Sequence, residues 1–320
     1  MLARIAAGLD RVFFKPESLH PDAVFALALA GPVVAGLILF RLAAAELLLI
    51  ALAIGGTVHL LAALLKLRLE MSPVLLSVIG VALCGPLSAP VWPALVAFGA
   101  AAAEPFRSRF WPRARINTGV LAYAVVFLAS RGAMAAYQRP GSSLLFPEPI
   151  AQWSLFYGGS ARFIEPITLY VGNVAGPVFA TSLLAVAVGM AWLWYARRLS
   201  VVAATAFLLA GIAISVGLRW DPVFQLDSGP TWFVVGFVLC DRRQVADKGL
   251  ARPSLAIAAA VIGIGLRAAH LYVEALFLAV AAIELVYAVS TSIAGYLAGR
   301  ARASRAKTPL TPAGTESPAV

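Results

Sequence analysis

Ionisable and hydroxyl-bearing side chains are scarce in this chain, and a few of them stand where their chemistry needs an account. Glu284 lies near the middle of a long apolar run with no cation at helical spacing, a place for a carboxyl that carries a proton or binds a cation. Ser72-Pro73 and Ser228-Gly-Pro-Thr231 each join a helix-capping hydroxyl to an early proline at the head of a short apolar segment. A helix that starts at membrane depth turns unpaired N–H groups and the positive end of its dipole toward whatever lies there. An anion, a carbonyl or a phosphate suits such a place. Gly229 permits close approach. The amides of Thr231 and Trp232 and the hydroxyls of Ser228 and Thr231 would point at a ligand oxygen, with the Trp232 ring free to stack.

Other chemistry-bearing residues have weaker settings. Asp227 and Asp241 bracket the second short segment, as residues that mark the two membrane faces. Glu46 and His59 fall on one span, about 20 Å apart at 1.5 Å per residue, and cannot share a site. Arg267, His270 and Glu274 cluster at the end of the last hairpin, in the manner of an interfacial ion pair. Cys84 and Cys240 sit in apolar surroundings, which argues against a disulfide framework, and no metal site is assigned. Phosphate loops, dinucleotide turns, HExxH and nucleophile elbows do not occur, so no catalytic residue of a soluble enzyme is named.

The elements that must position these residues follow from composition. Of 320 residues 61% are hydrophobic and 12% charged, and the mean hydropathy is +0.89. Soluble domains run at about 45–50% apolar and about 25% charged, so the solvent for most of this chain is lipid. A net charge of +10 has no soluble scaffold on which to present a nucleic-acid face. No nucleic-acid partner is expected; the bilayer is the first partner. Apolar segments at 22–40, 42–65, 73–84, 91–106, 118–137, 177–196, 199–217, 229–240, 253–268 and 271–297 predict about ten transmembrane helices. Those at 73–84 and 229–240 fall short of the roughly 20 residues a crossing needs, so the third and eighth are short or broken. With the N-terminus inside, 19 of the 25 Lys and Arg fall in cytoplasmic segments, which places both termini in the cytoplasm.

The two short segments match at an offset of 156: Ser72, Val78, Gly80, Leu83 and Cys84 repeat as Ser228, Val234, Gly236, Leu239 and Cys240. Each is the third span of five, and an odd number of spans turns the second copy over. The expected fold is therefore an all-α polytopic membrane protein of two inverted five-helix repeats, 21–137 and 177–298, joined by an outer loop at 138–176. Residues 1–20, with Leu2, Ile5, Leu9, Val12 and Phe13 set between basic residues, are expected to lie along the membrane surface. Residues 299–320 read as a disordered cytoplasmic tail.

Across 22–297 the residues also carry a resemblance. Ser228-Gly-Pro-Thr231, Asp241, Arg252, Arg267, Tyr272 and Glu274 follow one another as in the second half of RnfD and NqrB, membrane subunits of the Rnf ferredoxin:NAD oxidoreductase and of the sodium-pumping NADH:quinone reductase. Ala82-Leu-Cys-Gly-Pro-Leu-Ser-Ala-Pro-Val-Trp92 resembles a first-half segment of that family, and Asn117 stands near its Asn-Pro-Ala. The resemblance implies a multi-pass subunit of the bacterial cytoplasmic membrane that passes electrons through flavin or quinone. Its partners would be other membrane or redox subunits of an ion-translocating oxidoreductase. On this reading Ser72, Asn117, Ser228, Gly229, Thr231 and Trp232 bind a non-covalent flavin (FMN or riboflavin) or a quinone, and Asp241 joins Glu284 as an ion ligand. Three departures mark a divergent member. The family's flavin-bearing threonine motif is missing from the outer loop, where Thr168 is the one threonine, so covalent FMN is not expected. Glu104 replaces a family lysine, and Asn117-Thr118-Gly119 replaces Asn-Pro-Ala. The alternative is a transporter or channel for a small solute that kept the fold without redox activity.

Overall fold

A computed structural model describes residues 16–112, 114–157, 166–243 and 250–307. Within them the regular elements are helical, and isolated bridges join Gln138 to Leu145 and Leu199 to Asp241. The helices are α1 Pro21–Phe40, α2 Leu42–Leu64, α3 Pro73–Ala82, α4 Val91–Phe110, α5 Thr118–Ala129, α6 Pro149–Tyr157 and α7 Pro166–Val171. There follow α8 Leu183–Tyr195, α9 Val201–Gly217, α10 Pro222–Leu226, α11 Gly229–Val234, α12 Ala251–Gly265 and α13 Glu274–Lys307. α11 continues as a π turn over Val235–Leu239, and α12 as a 3-10 turn over Leu266–Ala269.

Local chemistry accounts for the starts and stops. Asn117, Ser182, Ser200 and Asp221 cap α5, α8, α9 and α10 by accepting amides of the first turn, while proline opens α1, α3 and α10. Arg41, Lys66, Arg131, Arg197, Arg219 and His270 follow helix ends at positive φ. The positive-φ residue stops the helix, and its polar side chain is exposed there.

α1, α2, Ala251–Ala269 and Glu274–Leu297 are long and apolar enough to cross a membrane, and α3, α5, α8, α9 and Gly229–Leu239 are shorter apolar helices. Leu42, Ile38 and Val286 present bare apolar side chains outward from such helices. The chain is an α-helical membrane protein.

Two segments depart from the lengths expected of them. The fifth helix ends at Ala129 rather than near 137, because Arg131 and Gly132 turn the chain at positive φ. The span expected at 177–196 begins at Leu183: residues 177–181 are not helical, and the Val178 and Phe179 amides instead reach Cys84 O (2.9 Å) and Ala82 O (3.3 Å). α13 runs to Lys307, through the first part of the segment expected to be disordered. The surface segment at 1–20 is described only from Pro16, with a 3-10 turn at Pro16–Ser18; residues 1–15, 158–165 and 308–320 lie outside the described residues.

Packing divides the helices into two sets. α3 lies against α2, α4 and α5; α9 against α12, α12 against α13, and α11 against α8. The sets meet where α1 packs on α8 and α5 on α13. Lipid gives helices no hydrophobic reason to associate, so small residues and interhelical hydrogen bonds do the joining. Ser77 Oγ donates to Ala97 O (2.9 Å) and Thr118 Oγ1 to Ala100 O (2.8 Å). At one end of the bundle the cation-bearing connections are tied together. Arg115 donates to Arg243 O, Arg243 pairs with Asp22 at 3.0 Å, Arg252 donates to Arg242 O, and the Arg242 amide to Arg198 O.

Candidate functional site

Glu284 and Asn117, 167 residues apart in sequence, meet in the interior. The Asn117 amide donates to Glu284 Oε2 at 2.8 Å, and both side chains are buried. Asn117 caps α5: its Oδ1 accepts from Gly119 N (3.0 Å) and Val120 N (3.3 Å). That commitment fixes the amide's orientation and leaves Nδ2 facing away from the cap. Asn117 Nδ2 and Glu284 Oε1 are buried with no hydrogen-bond partner. Thr118 ties this helix start to α4, and Gly119 presses it on α3, where an added Cβ would sit 2.6 Å from Leu76 O. The carboxyl therefore faces a rigid helix N-terminus.

No cation among the described residues pairs with Glu284; the other charge it feels is Asp241, of the same sign. A bare carboxylate so placed costs several kcal/mol unless a proton or a cation compensates it. Metal cations need several oxygen ligands, whereas the unbonded side-chain atom of Asn117 is an N–H donor. A proton on the carboxyl removes the need for a cation.

The half-helix start at Ser228–Trp232 is already engaged. Arg267, 3% exposed, donates from Nη1 to Gln225 O (2.9 Å) and Gln225 Oε1 (2.8 Å), and from Nη2 to Thr231 Oγ1 (3.0 Å). Burial pulls this residue away from the interfacial pair with Glu274 that its position in sequence predicts. The Trp232 amide bonds Ser228 O, and its ring nitrogen donates to Leu226 O (2.8 Å) while the ring packs edge-on against Phe207. A Cβ on Gly229 would lie 2.4 Å from both Ala180 O and Thr181 O, so the chain's own backbone occupies the approach that glycine leaves open. The cavity beside Ser228, Gly229 and Pro230 is about 20 Å³, a water's room and not a flavin's. At the first half-helix, the half-buried Ser72 makes no side-chain cap bond.

The remaining expected residues have structural occupations. Asp241 is taken up by Arg243, which donates from its amide and from Nε at 3.0 Å, bonds Asp22, and lies over the Phe25 ring. Glu104 accepts from Arg107, Ser108 and the Glu70 and Met71 amides. Glu46 and His59 are exposed on α2, Cys84 and Cys240 are fully buried free thiols, and Thr168 lies on α7. Among the described residues no cluster of His, Cys, Asp and Glu could hold a metal ion.

Sequence reading missed Gln225 and Glu148. A signal existed for the second: an acid directly before Pro149 is a helix-start pattern, and Glu148 accepts Ile150 N (2.8 Å) and Ala151 N (3.0 Å) at the head of α6. No protein-family model and no curated protein sequence matches the chain.

Proposed function

We propose that the chain is an RnfD/NqrB-like membrane subunit whose two halves are inverted repeats, and that it carries protons at Glu284, on the helix start that Asn117 caps. The observation that carries the reading is the buried carboxyl that accepts the backbone amide at a helix N-terminus and keeps one oxygen unbonded. Proton carriage through membrane proteins runs on such intramembrane carboxyls. Support for the repeat comes from backbone positions at the offset of 156. α3 and α11 begin at 73 and 229, α5 and α13 at 118 and 274, and Arg41 and Arg197 both turn at positive φ after the first helix of each half. The linked cation-bearing connections at one end favour ten crossings with cytoplasmic termini in a bacterial inner membrane.

Proteoliposomes with a pH-sensitive dye inside, polarised by a potassium gradient, test the reading. Wild type should take up protons, and Glu284→Gln should lose at least about tenfold in rate, since it removes the titrating group. In infrared difference spectra across pH, the carboxyl band of Glu284 should vanish in the same variant, with or without partner subunits. Equal uptake and an unchanged carboxyl band would remove Glu284 from the mechanism.

The electron-transport role rests on the resemblance. A non-covalent flavin or quinone at Ser228–Trp232 has the geometry against it, for the cavity there is water-sized and Thr231 is held by Arg267. The absorption spectrum of gently extracted protein decides: a flavin band supports the redox subunit, and its absence leaves the ion-coupled transporter.

A further inference from the structure

At the end of the bundle that carries the 138–176 connection lies a cavity of about 320 Å³, the size of a small-molecule site. Its walls include Tyr137, Phe146, Leu155 and Tyr272, and two acids, Glu148 and Glu274, reach it. Both acids are buried, at 4% and 7% exposed. The Tyr137 hydroxyl, on a residue 4% exposed, lies beside the Glu274 carboxyl.

We propose that this cavity binds a compact organic cation, a primary or quaternary ammonium, held by the Glu274 carboxylate and the rings of Tyr137, Tyr272 and Phe146. The site lies ten residues from Glu284 along α13, about 15 Å, and goes beyond the proton reading. Charge selects a cation. Two acids line the cavity and no basic side chain does, the neighbouring Arg267 being bonded to Gln225 and Thr231. Glu148 spends both oxygens on the amides of α6, which leaves Glu274 to face the occupant. Shape and lining select an organic one: a metal ion needs several oxygen ligands, whereas aromatic faces attract an alkylammonium through their quadrupoles and the apolar walls take its carbon. Glu148, in the connection outside the spans, is pushed up to about 8, first by burial and next by the Glu274 charge. A bound cation offsets that second cause, so binding near neutral pH also releases protons.

The test is titration of the full chain in lipid nanodiscs with tetramethylammonium and propylammonium chloride, followed by calorimetry and by proton release in weak buffer. Sodium chloride and the neutral 3,3-dimethylbutanol serve as comparisons. Saturable ammonium binding with proton release is expected, with Glu274→Gln weaker by about tenfold or more. Tyr272→Leu, a substitution on a half-buried wall, should weaken tetramethylammonium several-fold. Glu284→Gln should bind as wild type, which keeps this site separate from the proton site. The proposal is overturned if wild type shows no saturable binding, or if the neutral alcohol or sodium binds as well as the ammonium ions. It is equally overturned if Glu274→Gln and Tyr272→Leu both bind unchanged.

Discussion

The two short helices, α3 and α11 with its π turn, hold matching places in the chain and are clamped in opposite ways. An acid holds the head of α3: Glu104 accepts the Glu70 and Met71 amides, and Arg107 neutralises it while also pairing with Glu70 at 2.9 Å. A base holds the head of α11: Arg267 donates to neutral acceptors on Gln225 and Thr231. The first clamp is closed on itself, whereas the positive charge of the second is answered by Glu148 and Glu274 without a direct bond. α3 stays regular to Ala82, but α11 widens to a π turn in which the Cys240 amide reaches back to Val235 O at 2.8 Å. Such turns gather at functional places. One copy is a fixed frame; charges without a direct ion pair and the irregular backbone collect around the other and along α13.

The contrast can be broken by substitution. The largest effect belongs to Gly229→Val, which drives a side chain into the Ala180 and Thr181 carbonyls. A loss of about 3 kcal/mol or more is expected, read as a fall in the unfolding midpoint in detergent. The glycine's place at a helix start suggests a ligand approach, but the backbone contact predicts a loss of stability, and a wild-type midpoint would refute it. Next comes Arg267→Met, which leaves Thr231 and Gln225 unsatisfied at a cost of about 2–3 kcal/mol. Glu104→Gln should cost less, about 1–2 kcal/mol, because Glu70 still answers Arg107. Equal losses in these two would erase the difference between the clamps.

Smaller substitutions sharpen the comparison. A Cβ on Gly80 would meet Gly119 O at 2.9 Å, whereas one on Gly236 would meet the flexible side chain of Met190. Gly80→Ala should therefore cost about 1–2 kcal/mol and Gly236→Ala under about 1, measured by the same midpoints. The gentlest effect is a slope. The folded protein holds a proton on Glu148 up to about 8, against a usual value of 4.5. More protons are bound when folded, so this residue's contribution to stability is full below 4.5 and is lost as pH rises toward 8. Glu148→Gln should flatten the decline of the unfolding midpoint over that window.

How much of this was legible beforehand differs by kind of feature. Helix starts are local: the spans expected from 73, 118 and 199 begin at Pro73, Thr118 and Val201, whereas the same kind of signal at Ser182 and Pro222 is passed over in favour of longer apolar runs. Apolar composition determined the solvent, and hence the helical class, because lipid satisfies no backbone N–H or C=O. Partners are another matter. Helices apolar on nearly every side carry no pattern that tells the inward face from the lipid-facing one. Whether Glu284 faced lipid, a cation or an amide depended on how α13 crosses α5. The crossing brings it to the Asn117 amide, while the packing of residues 180–181 on Gly229 closes the approach that a glycine at a helix start advertises. Residue type and spacing thus determined that buried carboxyls and broken helices exist here. Which of them stands unpaired was decided by tertiary contacts, because pairing depends on angle and distance between helices that chain spacing does not encode.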